Sequence, residues 1–315
     1  MRKLLLAVAI LSISFFACKK DTAPTNPNPN PPAGSGEKFP VSFSVTSFLQ
    51  KLDQLPTPTG RKTGTAKTLR DSILAGKVSH LYYVFYTDYG QYVKTIHQDA
   101  SDSTSDFGNL VDTLPANRYM ITLVASTGPV ELPDTVYSSY FRIRLPDATV
   151  PYLNVSAPDV FVGNNTFTVT GYGPTQTIQL WPSRIMGKVE INILDAPGSA
   201  DSSNVMVYTS PAYRTLAFYW NSFEELLPDP GIILQRNSRT NFTTHLLSPN
   251  NEITVTIVYP DKTTGDRKIK EMRYVPFQRG YRTLMTGNVY NSVNGGTGFA
   301  IALDTTWYNY VEIPF

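Results

Sequence analysis

Cysteine is almost missing from this chain of 315 residues: there is one, at position 18. Internal disulfides are therefore excluded, and stability must come from a packed core. Histidine is nearly as scarce. His80, His97 and His245 stand far apart in sequence, with no His-x-His and no His-Glu-x-x-His spacing, so no zinc motif is present. Each of the three reads as a loop or sheet-face residue. Charge of one sign is also lacking. The 27 Lys plus Arg face 25 Asp plus Glu, which leaves no electrostatic footprint for nucleic acid. Neither Gly-x-Ser-x-Gly nor Gly-x-x-x-x-Gly-Lys occurs, so the serine-hydrolase elbow and the phosphate loop are absent as well. No cofactor and no catalysed reaction are expected.

Long apolar runs are limited to one. Leu4 to Phe16, broken by Ser12 and Ser14, follows Arg2 and Lys3. A run of roughly 13 residues is too short to cross a bilayer, which takes about 20. It has the layout of an export signal over residues 1–17, to be left out of the fold. Ala17 is small and Cys18 follows it directly. This resembles the lipobox of bacterial lipoproteins, although Phe15 stands where that motif favours Leu. The resemblance implies that Cys18 is lipidated and opens the mature chain. Each buried acyl CH₂ contributes about 0.8 kcal/mol, so several chains hold a protein stably on a membrane. Loss of Arg2 and Lys3 leaves 25 basic against 25 acidic residues.

Residues 18–38 read as a tether. Pro24, Pro27, Pro29, Pro31 and Pro32 interleave with Asn, and Gly34-Ser35-Gly36 follows. Such a segment favours polyproline II at about 3.1 Å per residue and has too little apolar surface to fold alone.

Beyond it, strand signals dominate. His80–Thr87 (HLYYVFYT) is a continuous aromatic and β-branched run; Asp88-Tyr89-Gly90 is a turn, and Gln91–Ile96 returns. Arg118–Ala125 alternates as a half-buried strand does. Asp159–Gly163 and Thr166–Thr170 read as a short pair. Ser183–Asp195 is a long strand with Ile185, Val189, Ile191 and Ile193 on one face, and Gly187 marks a bulge or a close approach. Glu252–Tyr259, Asp266–Val275, Gly280–Tyr290 and Gly298–Leu303 complete the series. Helix signals are confined to Thr65–Ala75 and to Ser222–Leu227, where Asn221 and Glu224 have capping-box spacing. The expected fold is all-β, with two antiparallel β-sandwich domains over residues 39–174 and 175–315. The boundary is set by the glycine and proline cluster GYGPTQT, Gly171–Thr177.

Binding chemistry has few candidates. Asp99, Asp102 and Asp106 share a serine-rich loop. Clustered carboxylates can hold calcium, but the glycine and terminal glutamate of a calcium loop are missing, so they are weak metal candidates. Glu224 and Glu225 read as helix-start charge. Trp181, Trp220 and Trp307, with the many tyrosines, could form a sugar-stacking surface, although aromatic residues at strand spacing more often fill a core. No other ligand-binding residue stands out.

In order, Cys18, LYYVFYTDYGQYV (Leu81–Val93), LPANRYMITLVAS (Leu114–Ser126), APDVFVGNNTFTV (Ala157–Val169) and IQLWPSRIMGKVEINILD (Ile178–Asp195) resemble the fimbrium anchor and minor-subunit family, the fimbrillin-like lipoproteins of type V pili. The resemblance covers most of 38–315 and implies two transthyretin-like sandwiches. It also implies lipid anchoring in the outer membrane through acyl chains on Cys18, exposure at the cell surface, and partnership with pilin or fimbrial subunits through strand contacts. A further implied partner is a host or bacterial surface ligand. Lys19-Lys20-Asp21 resembles the charged tags of surface-exposed lipoproteins. Pilins of this class are often cut after an arginine; Arg142 and Arg144 lie near the corresponding region but read better as polar strand residues. The alternative is a surface glycan-binding lipoprotein of a nutrient-uptake system. An exposed coplanar set of Trp and Tyr would favour that alternative; an incomplete sheet edge or a removable terminal strand would favour the filament subunit.

Overall fold

A computed structural model describes residues 36–45, 47–48, 74, 76–102, 106–133, 135–146, 157–197, 204–291, 298–304 and 311–312. Cys18, residues 19–35 of the expected tether, Trp307 and, apart from Leu74, the helix expected over 65–75 lie outside them, and Lys38, expected to end the tether, begins the first strand. The regular structure of the described residues is almost entirely β-strand, as the aromatic and β-branched composition predicts. Among the described residues no helix is long and apolar enough to cross a membrane.

The first half carries β1 (Lys38–Val45), β2 (Ser47–Phe48), β3 (His80–Thr87), β4 (Tyr92–Asp99), β5 (Asn109–Pro115), β6 (Asn117–Ser126), β7 (Arg142–Arg144), β8 (Val160–Val169), β9 (Gln176–Leu180) and β10 (Ser183–Arg184). A three-stranded sheet, β5-β1-β9, faces a five-stranded sheet, β10-β8-β6-β3-β4. Between them Phe43 meets Phe85 and Phe167 edge-on, with ring centroids 5.1 and 5.2 Å apart, among Ile121, Leu123 and Val169.

The second half adds β11 (Gly187–Ile193), β12 (Met206–Ser210), β13 (Tyr213–Ala217), β14 (Ser222–Leu226), β15 (Ile232–Ile233), β16 (Gln235–Arg236), β17 (Asn241–Leu246), β18 (Glu252–Pro260), β19 (Arg267–Pro276), β20 (Arg282–Gly287), β21 (Phe299–Asp304) and β22 (Val311–Glu312). Here the sheets are β16-β17-β11-β20-β21 and β15-β12-β18-β19. Val189, Ile191 and Ile193 of β11 pack with Val255 and Ile257 of β18 in a shared core. Two pairings, β1 with β9 and β11 with β20, are parallel; the others between named strands are antiparallel.

The second core also reaches Val84, Tyr86, Val124, Val160 and Val162. The centre of the β10-β8-β6-β3-β4 sheet, along β3 and the adjoining parts of β6 and β8, is therefore buried on both faces. That explains the unbroken apolar run of β3, in which Tyr83 and Phe85 join one core and Val84 and Tyr86 the other.

Three expectations differ from the structure. Asp159–Gly163 and Thr166–Thr170 are one ten-residue strand, β8, paired along its length with β6. Gly163 is not there for a turn: a Cβ would stand 3.0 Å from Pro182 Cα and 3.1 Å from the Trp181 carbonyl oxygen. Second, Ser222–Leu227 forms no helix. Asn221 has φ 48°, and Ser222 pairs with Ala217 in a hairpin. Third, the sheets do not change over at 174/175. β9 pairs with β1 and β10 with β8, so the expected single strand Ser183–Asp195 is two, β10 and β11, in different sheets, and the crossing to the second sandwich falls between Arg184 and Gly187. Gly187 is a site of close approach, since a Cβ there would meet the Phe277 ring and lie 2.9 Å from the Gln278 carbonyl oxygen.

Candidate subunit interface

The two halves are stitched at named side chains. Arg184 on β10 is fully buried, and its Nε donates to both carboxylate oxygens of Asp159 at 2.9 Å. Its guanidinium lies 4.7 Å from the Phe161 ring centre. His245 on β17 brings Nε2 to 3.9 Å from the same carboxylate, with Nδ1 3.1 Å from the Ala157 carbonyl oxygen. Burial pushes the His245 imidazole below its ordinary range, against the opposing pull of Asp159.

Arg142 and Arg144 sit on β7, which leaves the first half to pair with β13. The Arg142 guanidinium donates to both oxygens of Glu224, at 2.8 and 3.1 Å. Arg144 donates to Glu225 at 2.9 Å. Both arginines are thus strand residues facing carboxylates on β14. Glu224 and Glu225 answer them, not a helix dipole, and Asn221 accepts a hydrogen bond from Arg279 at 3.0 Å instead of capping a helix. Sequence reading missed this cluster because the partners are some 80 positions apart; the only local sign was two alternating arginines.

The sheet edges carry the remaining candidates. Among the described residues β21 is the last strand of its sheet and pairs with β20 alone. Ala300, Ile301 and Ala302 are exposed in succession. Arg282 ties β21 down through Asp304 Oδ2 at 2.5 Å. Lys270 of β19 lies 5.5 Å from the Phe299 ring centre, so β19 and β21 close one side of the second sandwich together. β22 is shorter still and, among the described residues, pairs only with β2, Phe48 opposite Val311. Phe48 is fully buried, 5.0 Å edge-on from Phe161. On the outer face of the β15-β12-β18-β19 sheet, an open groove of about 1110 Å³ is lined by Thr254, Thr256, Ile269, Glu271, Arg273 and Pro230.

Other candidates resolve differently. Asp99 does not gather with Asp102 and Asp106; among the described residues it meets His80 and His97. Asp106 accepts a hydrogen bond from Asn109 in its own loop, at 3.2 Å, and Asp99 lies in register with His80 at the end of the β3–β4 hairpin. The exposed Trp220 meets Tyr219 at 82°, and Tyr137 meets Tyr140 at 73°. Both are edge-on pairs and neither is a flat platform. Trp181 is half-exposed.

No protein-family model and no curated protein matches the chain. Solved structures do. A candidate polysaccharide-binding protein from Bacteroides thetaiotaomicron shares 14% identity over 75% of this chain and 90% of its own, with a TM-score of 0.46. A fimbrial assembly protein from Parabacteroides distasonis shares 9% over 85% and 95%, at 0.46. The fimbrial anchor protein Mfa2 from Porphyromonas gingivalis shares 10% over 86% and 98%, at 0.43. These are likenesses of strand arrangement, not of side chains. Fimbrial assembly, anchor and tip proteins and adhesins are thus among the solved structures that the chain is similar to.

Proposed function

We propose that this chain is a lipid-tethered outer-membrane subunit of a surface filament, a fimbrial anchor or minor pilus subunit in cell adhesion, that works through strand contacts and catalyses no reaction. The observation that carries the reading is the edge made by the C-terminal segment. Among the described residues β21 has one neighbouring strand and is exposed along three successive residues, and β22 pairs with a single two-residue strand. An edge strand offers a ladder of N–H and C=O groups that another chain's strand can take over. Strands of this kind can leave and be replaced at modest cost, because each forfeits the bonds of one neighbour.

Cys18, followed by the proline-rich stretch to Lys38, supports a tether of the right length and chemistry for a membrane-rooted subunit. The glycan-binding alternative finds less support, since the exposed aromatic pairs are edge-on and a sugar ring stacks on a flat face. The test is filament protein shed into the medium, compared between cells that have and lack the chain. Long released filaments in its absence support the reading. Unchanged filaments, together with glycan binding by the purified chain, would replace it with the alternative.

A further inference from the structure

The end of the β3–β4 hairpin gathers three metal-ligating side chains. In the ladder His80 stands opposite Asp99, and Tyr82 opposite His97, so the four project from one face of two paired strands. His80 Nδ1 is 3.2 Å from His97 Nε2 and 3.4 Å from Asp99 Oδ2. One donor atom from each of the three residues lies within 4.8 Å of the other two. Zinc holds nitrogen and oxygen ligands at about 2.0–2.2 Å in a tetrahedron, which puts neighbouring ligands roughly 3.3 Å apart. Two edges of the observed triangle already have that length.

The surroundings hold the donors in place. The Asp99 Oδ1 atom accepts from the Ser101 backbone N–H and hydroxyl, both at 2.7 Å, which turns Oδ2 toward His80. The His97 ring lies flat on Tyr82, 4.3 Å and 11° away, and the Tyr82 hydroxyl accepts from the Val130 N–H at 3.4 Å. Between them Gln98 is buried and bonded to Tyr83, Gly108 and Asn109, so the backbone of β4 is pinned where the ligands sit.

We propose that His80, His97 and Asp99 form a surface site for one divalent transition metal ion of the zinc class. Two imidazoles exclude calcium and magnesium, which take oxygen shells. Three protein ligands at the surface leave a fourth position for water or for a donor on another molecule. This inference is independent of the filament role.

The test titrates the intact, untagged chain with ZnCl₂ in a calorimeter, beside His80→Gln, His97→Gln and Asp99→Asn. X-ray absorption of the loaded protein reads the first shell. Expected are one zinc per chain, a first shell of two imidazole nitrogens plus oxygen, and at least a tenfold loss of affinity in each variant with metal-free thermal stability retained. A Cys18→Ser variant should bind as the parent does. The proposal is overturned by an absence of saturable binding, by affinity unchanged in the three variants, or by a sulfur ligand in the first shell.

Discussion

At the scale of single residues, Asp159, Arg184 and His245 carry the largest stakes. A buried ion pair adds little net stability, yet removing one partner leaves an uncompensated charge and costs about 3–5 kcal/mol. Asp159→Ala should therefore destabilise the chain by up to that amount in urea unfolding, because it takes the carboxylate from the buried Arg184 guanidinium. Replacing both residues together by apolar ones should cost clearly less. A pH effect follows from His245. Its imidazole is depressed in the folded chain, while an unfolded histidine titrates near 6.5. Between those values the unfolded state binds more protons, so stability falls as pH drops below about 6.5 and levels off once the folded group also titrates. Melting temperature measured from pH 7.5 to 5 should decline, and His245→Gln should decline less. His80 is shifted in the same direction, so part of the slope should remain in that variant.

Single elements show how much the sequence disclosed. β3 was legible because burial on both faces writes itself as an uninterrupted apolar run, and β11 because strict alternation marks a one-sided strand. β8 was split in reading because Gly163-Asn164-Asn165 has turn composition. What places those residues in a strand is pairing with β6 and the nearness of Pro182, both supplied by distant sequence. Asn221 with Glu224 imitated a helix start for a similar reason. Asparagine serves an N-cap or a left-handed hairpin position equally well, and here Arg279 and Arg142 take the two side chains. The His80–His97–Asp99 cluster was invisible because 17 positions separate its histidines and only the hairpin register joins them. β21 yields its own prediction. Leu284 and Ala302 are register partners across β20 and β21, at a separation that a disulfide can bridge. The Leu284→Cys/Ala302→Cys chain, once oxidised, should fail to join filament subunits, and reduction should restore joining. Joining by the oxidised form would remove β21 from the account.

On the scale of the whole molecule, the second core extends onto the outer face of the first half's five-stranded sheet, and β7 lends a strand across. Under the proposed function a load entering at β1 would pass through this shared packing to reach the strand edges of the second half, which suits a part that holds something in place. The central claim is that the chain fastens a filament to a membrane through Cys18. The measurement is filament protein in the culture medium of cells carrying Cys18→Ala against cells carrying the parent chain. Filaments should be released with the variant chain still attached, and little of that chain should remain in the membrane fraction. Filaments retained at the surface, with the variant chain still fully membrane-bound, would contradict it.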